Sequence, residues 1–163
     1  MKNDLTEKDL YDPIRQCLED KFREKFGNCY LEITSDAFSQ KIKGVLETDV
    51  LLYLSKEGLR PDLTGYVIKN RFRRIIVVEI KKDPLKAHDI YQAKMYAELF
   101  GAHYALLISP KPIQEEVRRL LAKNPRLYSH SAGYKRIIIG QFDMDKGEIV
   151  EHSWFPDPLF EFE

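Results

Sequence analysis

The chain has 163 residues, of which 44% are hydrophobic and 32% charged, a composition that fits one globular domain with a sizeable core. Its apolar runs are shorter than the ~20 residues that a membrane helix needs, and its N-terminus is too polar for a signal peptide, so we expect a cytoplasmic protein with no membrane partner. The formal net charge is zero, which taken alone argues against a polyanionic partner.

An amphipathic helix is predicted near the N-terminus. Thr6 and Asp9 approximate a capping box, and Gly27 is a typical helix stop. Pro13 predicts a kink or a restart of the helix. Glu7 lies close to a whole number of turns from the apolar stripe, so we expect it on the buried face of the helix. The stripe itself consists of Leu10, Tyr11, Ile14, Leu18, Phe22 and Phe26.

Residues 30–34 alternate between apolar and polar positions and predict a first strand. The next stretch, residues 35–59, is harder to interpret. Residues 41–46 are compatible with an extension of a strand pair, and residues 49–54 with a strand or a buried helical turn, because a short apolar run does not distinguish the two.

A β-hairpin is predicted from residues 62–68 and 74–81, around a turn at residues 69–71. Reflection about that turn pairs position i with position 141 − i, which places Asp62 opposite Glu79. Gly65 is a candidate β-bulge, and a bulge there would shift the pairing by one residue.

The hairpin predicts a divalent metal site. Opposed residues in an antiparallel pair have Cβ atoms about 4.5–5.5 Å apart. Two carboxylates at that distance repel each other unless a cation lies between them. Lys81 projects from the same strand face as Glu79, which adds an ammonium group to the same place, whereas Lys82 points to the opposite face.

Beyond the hairpin, a helix is predicted from residue 84 or 85 to Phe100, followed by a strand at residues 103–109. A strand, a long helix and a strand in succession favour a parallel strand pair. Gln92 and Tyr96 lie four residues apart on one face of that helix, which packs either on the site or on the core.

The C-terminal part predicts a helix at residues 113–123 and a hairpin formed by residues 134–142 and 148–154. An aromatic and acidic tail follows to residue 163, and we expect it to dock on the body of the protein or on a second subunit. Positive charge is concentrated in the middle of the chain, since residues 60–136 contain 16 Lys and Arg against 7 Asp and Glu. Such an excess indicates either a nucleic-acid partner or an ordinary solvated surface.

The motif residues of the hairpin also resemble a known family. Pro61-Asp62, then sixteen residues, then Glu79-Ile80-Lys81 is similar to the motif of the PD-(D/E)xK nuclease superfamily. The resemblance implies a single α/β domain spanning residues 1–163, with a restriction-endonuclease-like core in which a central mixed β-sheet is flanked by helices.

Two further patterns extend the resemblance. Gln92 and Tyr96 match the Q-x-x-x-Y sequence found after the core motif in several branches of the superfamily. The segment around Glu7 is similar to the first helix of uncharacterised members, in which such a glutamate reaches the metal site. The resemblance implies that Gln92 and Tyr96 contact nucleic acid. We expect the neighbouring Lys82 and Lys86 to contact it as well.

The implied activity is hydrolysis of phosphodiester bonds, in DNA or in another nucleic acid, with Mg²⁺ or Mn²⁺. Asp62, Glu79 and the Ile80 carbonyl would bind the ion, joined by Glu7, while Lys81 would orient the attacking water. A homodimer is expected from the family. The sequence contains no phosphate-binding G-x-x-x-x-G-K-[ST] loop, so we expect no nucleotide cofactor.

Two other interpretations remain open at this stage. In the first, the chain is a catalytically inactive nucleic-acid-binding or assembly subunit with the same fold. In the second, it is an unrelated α/β domain in which the Glu79–Lys81 region forms a structural ion pair. The second interpretation predicts that Asp62 and Glu79 lie far apart.

Overall fold

The computed structural model describes residues 4–131 and 135–156 of the chain. Its helices are α1 (Glu7–Phe26), α2 (Gln40–Lys43), α3 (Thr48–Glu57), α4 (Ala87–Phe100) and α5 (Glu115–Lys123), followed by a 3-10 turn at Pro125–Leu127. Its strands are β1 (Tyr30–Ile33), β2 (Leu63–Lys69), β3 (Phe72–Ile80), β4 (Tyr104–Ser109), β5 (Ser129–His130), β6 (Lys135–Asp143) and β7 (Glu148–Ile149).

The strands form one mixed sheet in the order β1-β2-β3-β4-β6-β5, with β7 paired to β6. Strand β3 is parallel to β4, and β4 is parallel to β6, whereas the remaining pairs are antiparallel. The predicted α/β class, with a central mixed sheet, is therefore confirmed. The parallel pairing across α4 is confirmed as well.

Helices cover both faces of this sheet. On one face, α1 packs on alternate residues of β3, such as Val78. On the other face, α3, α4 and α5 pack on the intervening residues, such as Val77. Because β3 is covered on both sides, all of its residues from Ile76 to Ile80 are buried, and a charged side chain near its end has to find partners inside the protein.

Helix α1 begins and ends where the sequence predicts, and Pro13 does not interrupt it. The Thr6–Asp9 capping box is present, and Gly27 ends the helix at φ 76°. The predicted restart at Pro13 is wrong, because the helix continues through it from Glu7 to Phe26. Burial of the apolar stripe on both sides of the proline offsets the backbone hydrogen bond that proline does not make.

Residues 35–59 contain helices where the sequence left the choice open. The predicted strand at residues 41–46 is wrong, because α2 occupies Gln40–Lys43. Ser39 caps this helix, its hydroxyl accepting a hydrogen bond from the Ile42 amide at 3.2 Å. Residues 49–54 belong to α3, so the helical alternative is the correct one.

The β2–β3 hairpin has the predicted register. Its pairs run from Leu63 opposite Val78 to Lys69 opposite Phe72, so position i pairs with position 141 − i throughout. Gly65 lies in register opposite Ile76 rather than in a bulge. Its role is steric, because a Cβ atom at this position would lie 2.0 Å from the Tyr30 carbonyl oxygen of β1.

The C-terminal hairpin is present as β6 and β7, with a second strand shorter than predicted. Phe155 pairs with Ile139 of β6, so the beginning of the tail docks on the sheet. Tyr134 and the predicted tail residues 157–163 lie outside the described residues. In the ranges 4–131 and 135–156, no helix is both long and apolar enough to cross a membrane.

Candidate functional site

Asp62 and Glu79 lie at opposed positions at one end of the hairpin. Asp62 directly precedes β2, and the next step of the ladder outward from the Leu63–Val78 pair places it opposite Glu79. The two residues are 8% and 3% exposed, and the Asp62 backbone N–H hydrogen bonds to the Glu79 carboxylate. The prediction that the two acids lie far apart is therefore wrong, although the Glu79–Lys81 ion pair of the same interpretation is present.

The Asp62 carboxylate is held by two hydrogen bonds. The Ile80 backbone N–H donates to Oδ2 at 2.7 Å, and the Tyr11 hydroxyl donates to Oδ1 at 2.8 Å. Burial nevertheless raises the pKa of Asp62 above 3.8, because desolvation outweighs these two donors. The carboxylate is thus fixed in orientation while its charge is disfavoured.

Glu79 is less well satisfied than Asp62. Its Oε2 atom lies 3.7 Å from the Lys81 ammonium, whereas its buried Oε1 atom has no hydrogen-bond partner among the described residues. Burial, followed by the charge of Asp62, raises the pKa of Glu79 to about 8, and Lys81 opposes this shift. A cation next to Oε1 would offset both the loss of hydration and the repulsion by Asp62, which are the two causes of the raised pKa.

Helix α1 brings Glu7 to the same place. The residue is half-buried, as its predicted position on the inner helix face requires, and its Oε1 atom lies 3.4 Å from the Tyr11 hydroxyl. The same hydroxyl reaches Asp62, so Tyr11 links the two acids. The charge of Glu7 contributes to the raised pKa of Asp62.

Tyr11 is the site residue that the sequence did not single out. It was assigned to the apolar stripe of α1, and its ring is indeed buried there. The available signal was its position four residues after Glu7, together with the need of a buried tyrosine hydroxyl for a partner. Burial and the charge of Asp62 raise the pKa of Tyr11 well above its usual range, so the hydroxyl keeps its proton and remains a donor.

The face of α4 that carries Gln92 and Tyr96 is turned toward the site. The Tyr96 side chain is 2% exposed and hydrogen bonds to the Gln92 side chain and to the Arg60 backbone. Burial, and then the charge of Glu79, raise the pKa of Tyr96 to about 12. Tyr96 is therefore both a core residue and a wall of the acidic site.

Lys82 and Lys86 lie on the surface instead. Lys82 is exposed and lines a cleft of about 480 Å³ together with Lys111 and Asp143. The backbone N–H of Lys86 donates to Asp89 at 2.9 Å in front of α4. Within the described part of the chain, neither lysine is paired with Asp62 or Glu79, so their contact with nucleic acid stays a prediction.

The donor set fits a hard divalent cation. Two close carboxylates, one with an open oxygen, suit the oxygen preference of Mg²⁺ or Mn²⁺. No group of three or more His, Cys, Asp or Glu side chains with metal-holding geometry occurs in the described ranges, and Glu7 contacts Asp62 only through the Tyr11 hydroxyl.

Comparison of the chain with protein-family models, with curated proteins and with solved structures gave no match. Function therefore has to be inferred from the chemistry of the site. Its distinctive features are a desolvated pair of acids, an ammonium group beside one of them, and a tyrosine that fixes the other.

Proposed function

We propose that this protein is a divalent-metal-dependent nuclease that hydrolyses phosphodiester bonds, with DNA as its substrate. One observation carries the proposal: Glu79 has a buried oxygen that no described group satisfies, opposite Asp62 and 3.7 Å from the Lys81 ammonium through its other oxygen. A structural role alone would not require two carboxylates to share a desolvated corner.

The fold is part of the proposal. A hairpin that carries both acids, followed by a helix and a parallel strand, is the order expected of a restriction-endonuclease-like core. The similarity of Pro61-Asp62 and Glu79-Ile80-Lys81 to the PD-(D/E)xK motif supports it, together with the opposed positions of Asp62 and Glu79 and the contact of Glu79 with Lys81.

Asp62 and Glu79 would hold Mg²⁺ or Mn²⁺, with the Ile80 carbonyl and Glu7 completing the protein's share of the ligands. The ion, when bound, supplies positive charge that stabilises the negative charge developing on the scissile phosphate. Tyr11 and the Ile80 amide keep the Asp62 carboxylate in a fixed orientation, which lowers the cost of reorganisation on binding.

Lys81 positions the attacking water in this proposal. Its ammonium lies beside Glu79 and its side chain is 22% exposed, so it contacts both the acidic pair and solvent. A positive charge there favours the deprotonated form of a nearby water. Tyr96, on the α4 side, excludes bulk water from the acids.

The decisive experiment compares the purified wild-type protein with Lys81→Ala on plasmid, single-stranded and branched DNA, with and without Mg²⁺ or Mn²⁺. We expect metal-dependent cleavage by the wild type and a loss of about 100-fold or more in the variant, since positioned proton-transfer groups contribute about that much. Lys56→Ala, at an exposed position of α3, serves as the matched control and should cleave normally.

Equal cleavage by the wild type and Lys81→Ala would remove Lys81 from the mechanism. Absence of cleavage by every protein, with DNA still bound, would favour the second candidate, a catalytically inactive nucleic-acid-binding or assembly subunit. The specific observation in favour of that candidate is the lack, in the described ranges, of a third carboxylate, histidine or cysteine close enough to complete a metal cluster. Such a subunit would bind DNA equally well in EDTA.

The expected homodimer belongs to the same proposal. It follows from the family resemblance alone, since Phe155 pairs with Ile139 of the same chain. Light scattering after gel filtration would show twice the mass of 19.2 kDa if the dimer forms, and that mass itself if it does not.

A further inference from the structure

The turn end of the β2–β3 hairpin, which we call the hairpin tip (residues 68–74), is unusually basic. The segment between Asp62 and Glu79 contains four cationic residues and no acid, and all four lie in the tip. They are Lys69, Arg71, Arg73 and Arg74. This concentration of charge is independent of the acidic site, which lies at the other end of the same hairpin.

The hairpin tip also exposes apolar surface. The Phe72 side chain is 74% exposed, the largest value among the exposed large hydrophobic residues that the structure describes, and Ile68 on the opposite face of the tip is 45% exposed. An aromatic ring in water gains nothing for folding, because its apolar area is not buried. An exposed phenylalanine that follows an exposed arginine, as Phe72 follows Arg71, is instead a combination that binds bases and phosphates together.

The hairpin tip is held in one shape. Asn28 makes two hydrogen bonds to Ile68, with its Nδ2 donating to the carbonyl at 2.9 Å and its Oδ1 accepting from the amide at 2.7 Å. The two-residue turn consists of Asn70 and Arg71, at φ 52° and 70°. Glycine is the favoured second residue of such a turn, and an L side chain there costs roughly 1 kcal/mol.

The arginine side chains are available to a ligand. Within residues 4–131 and 135–156, neither Arg71 nor Arg73 takes part in an ion pair. The Arg73 guanidinium lies 5.6 Å from the centroid of the Tyr66 ring, and Arg74 donates to the Tyr104 hydroxyl at 3.3 Å. The positive charges of Arg71 and Arg73 are thus exposed, and no acid of the described ranges forms an ion pair with them.

We propose that the hairpin tip is a binding site for single-stranded nucleic acid, in which Phe72 stacks on a base and Arg71, next to it in the turn, contacts a flanking phosphate, while Arg73 on the opposite face adds to the positive charge of the tip. Phe72 and Glu79 are seven residues apart on β3, a span of roughly 23 Å at about 3.3 Å per residue. The inference rests on the proposed function for the identity of the polymer, and it adds a holding site well away from the acids.

The test measures binding without catalysis. Fluorescence anisotropy in EDTA follows a labelled oligo-deoxythymidine of about 16 nucleotides, the upper range of known site sizes, and a duplex of equal length. The variants are Phe72→Leu and Arg71→Gly, with Tyr53→Leu and Lys56→Gln on α3 as matched controls for exposed aromatic and basic residues.

We expect Phe72→Leu to weaken binding of the single strand by roughly 5- to 150-fold, with a smaller effect on the duplex, because a stacked base is lost. Arg71→Gly should weaken binding and lower the salt slope by about one unit. It should also keep or raise the melting temperature, since glycine relaxes the turn, and this separates a binding role from a structural one.

Affinities of both tip variants equal to those of the α3 controls would overturn the inference, as would a Phe72→Leu effect confined to the duplex. Loss of self-association in Phe72→Leu without a change in affinity would overturn it in favour of a contact with a second copy of the chain. Because the assay needs no cleavage, an inactive but DNA-binding protein would refute the nuclease proposal while leaving the hairpin tip supported.

Discussion

Glu79 shows how a single residue can be kept at a cost to stability. It is an almost completely buried acid, and one of its oxygens has no counterpart in the part of the chain that the structure describes. An ionised group in that position lowers the stability of the fold, because removal from water and the nearby Asp62 both disfavour its charge.

Replacement of Glu79 by glutamine should therefore stabilise the protein in EDTA by about 1–3 kcal/mol, because a carboxyl group whose pKa is raised to about 8 has to take up a proton on folding at neutral pH, whereas glutamine is neutral already and keeps the shape of the side chain. Addition of Mg²⁺ or Mn²⁺ should act on the wild type and not on the variant. It should stabilise the wild type, by about 2.7 kcal/mol at a hundredfold excess over Kd, and leave the variant unchanged. Urea unfolding curves at neutral pH measure both effects.

Glu57→Gln, at an exposed position at the end of α3, is the control and should alter neither quantity. A Glu79→Gln protein that is less stable than the wild type in EDTA would mean that the carboxylate has a partner in the folded chain. A wild-type unfolding curve that is the same with and without either ion would contradict the metal site.

At the level of single residues, the sequence could predict the acids better than the residue that holds them. Asp62, Glu79 and Lys81 follow from counting along a hairpin, since strand geometry fixes which side chains share a face. Tyr11 does not, because its contact with Asp62 depends on how deeply α1 settles on β2 and β3. That depth is a tertiary property without a local sequence signal.

Among the elements, the β1–β2 contact has the strictest steric requirement. Gly65 lets the Tyr30 carbonyl approach to a position where any side chain would collide with backbone, which cannot rotate away as a side chain can. This contact sets the position of the start of β2 and, three residues earlier, that of Asp62.

Gly65→Ala should consequently destabilise the protein by about 3 kcal/mol or more, through overpacking of β2 against β1. Gly44→Ala is the matched control. Gly44 has a helical φ of −70°, and the added Cβ atom would meet its nearest neighbour at 3.5 Å, an ordinary contact distance. We expect it to change stability by less than about 1 kcal/mol, as surface substitutions usually do. Equal losses in the two variants would show that the clash is relieved elsewhere.

Elements with a strong local signal were predictable, and those without one were not. The capping box of α1, its stop at Gly27 and the turn of the hairpin are local features, and each occurs where the sequence predicts it or within a few residues. The stretch 35–59 became helical because Leu54 and its neighbours pack against α4, a contact that a short apolar run cannot specify.

On the scale of the whole molecule, the two ends of the sheet carry different ionisable groups. Asp62 and Glu79 lie where β2 begins and β3 ends. His103 and His130 lie at the other end of the sheet, where β4 and β6 begin. Burial lowers the pKa of His130 to about 4, with Lys135 and Lys94 acting in the same direction and Glu98 and the Arg136 backbone opposing it. The pKa of His103 is also lowered to about 4, first by burial and then by Lys135.

The contribution of His130 to stability should fall as the pH drops from about 6.5 to about 4, whereas the raised pKa of Glu79 acts in the opposite direction. In this window the unfolded chain takes up a proton at His130 that the folded protein refuses, so protonation favours unfolding. For this buried residue the loss is on the order of 2–3 kcal/mol. The difference in unfolding free energy between His130→Gln and the wild type should change by that amount across this window, whereas the difference for the exposed His88→Gln should stay constant. Parallel curves for all three proteins would assign the acid sensitivity to other groups.

The hydrogen bond from the Ile80 amide to the Asp62 carboxylate has a practical consequence. Most amides of a sheet interior point at carbonyl groups, whose electron density changes little when a ligand arrives. This one points at a side chain whose charge is neutralised by a bound ion or proton. In a ¹⁵N-correlated spectrum its cross-peak is consequently an internal indicator of occupancy, which allows the chemistry at the hairpin's far end to be titrated without any substrate.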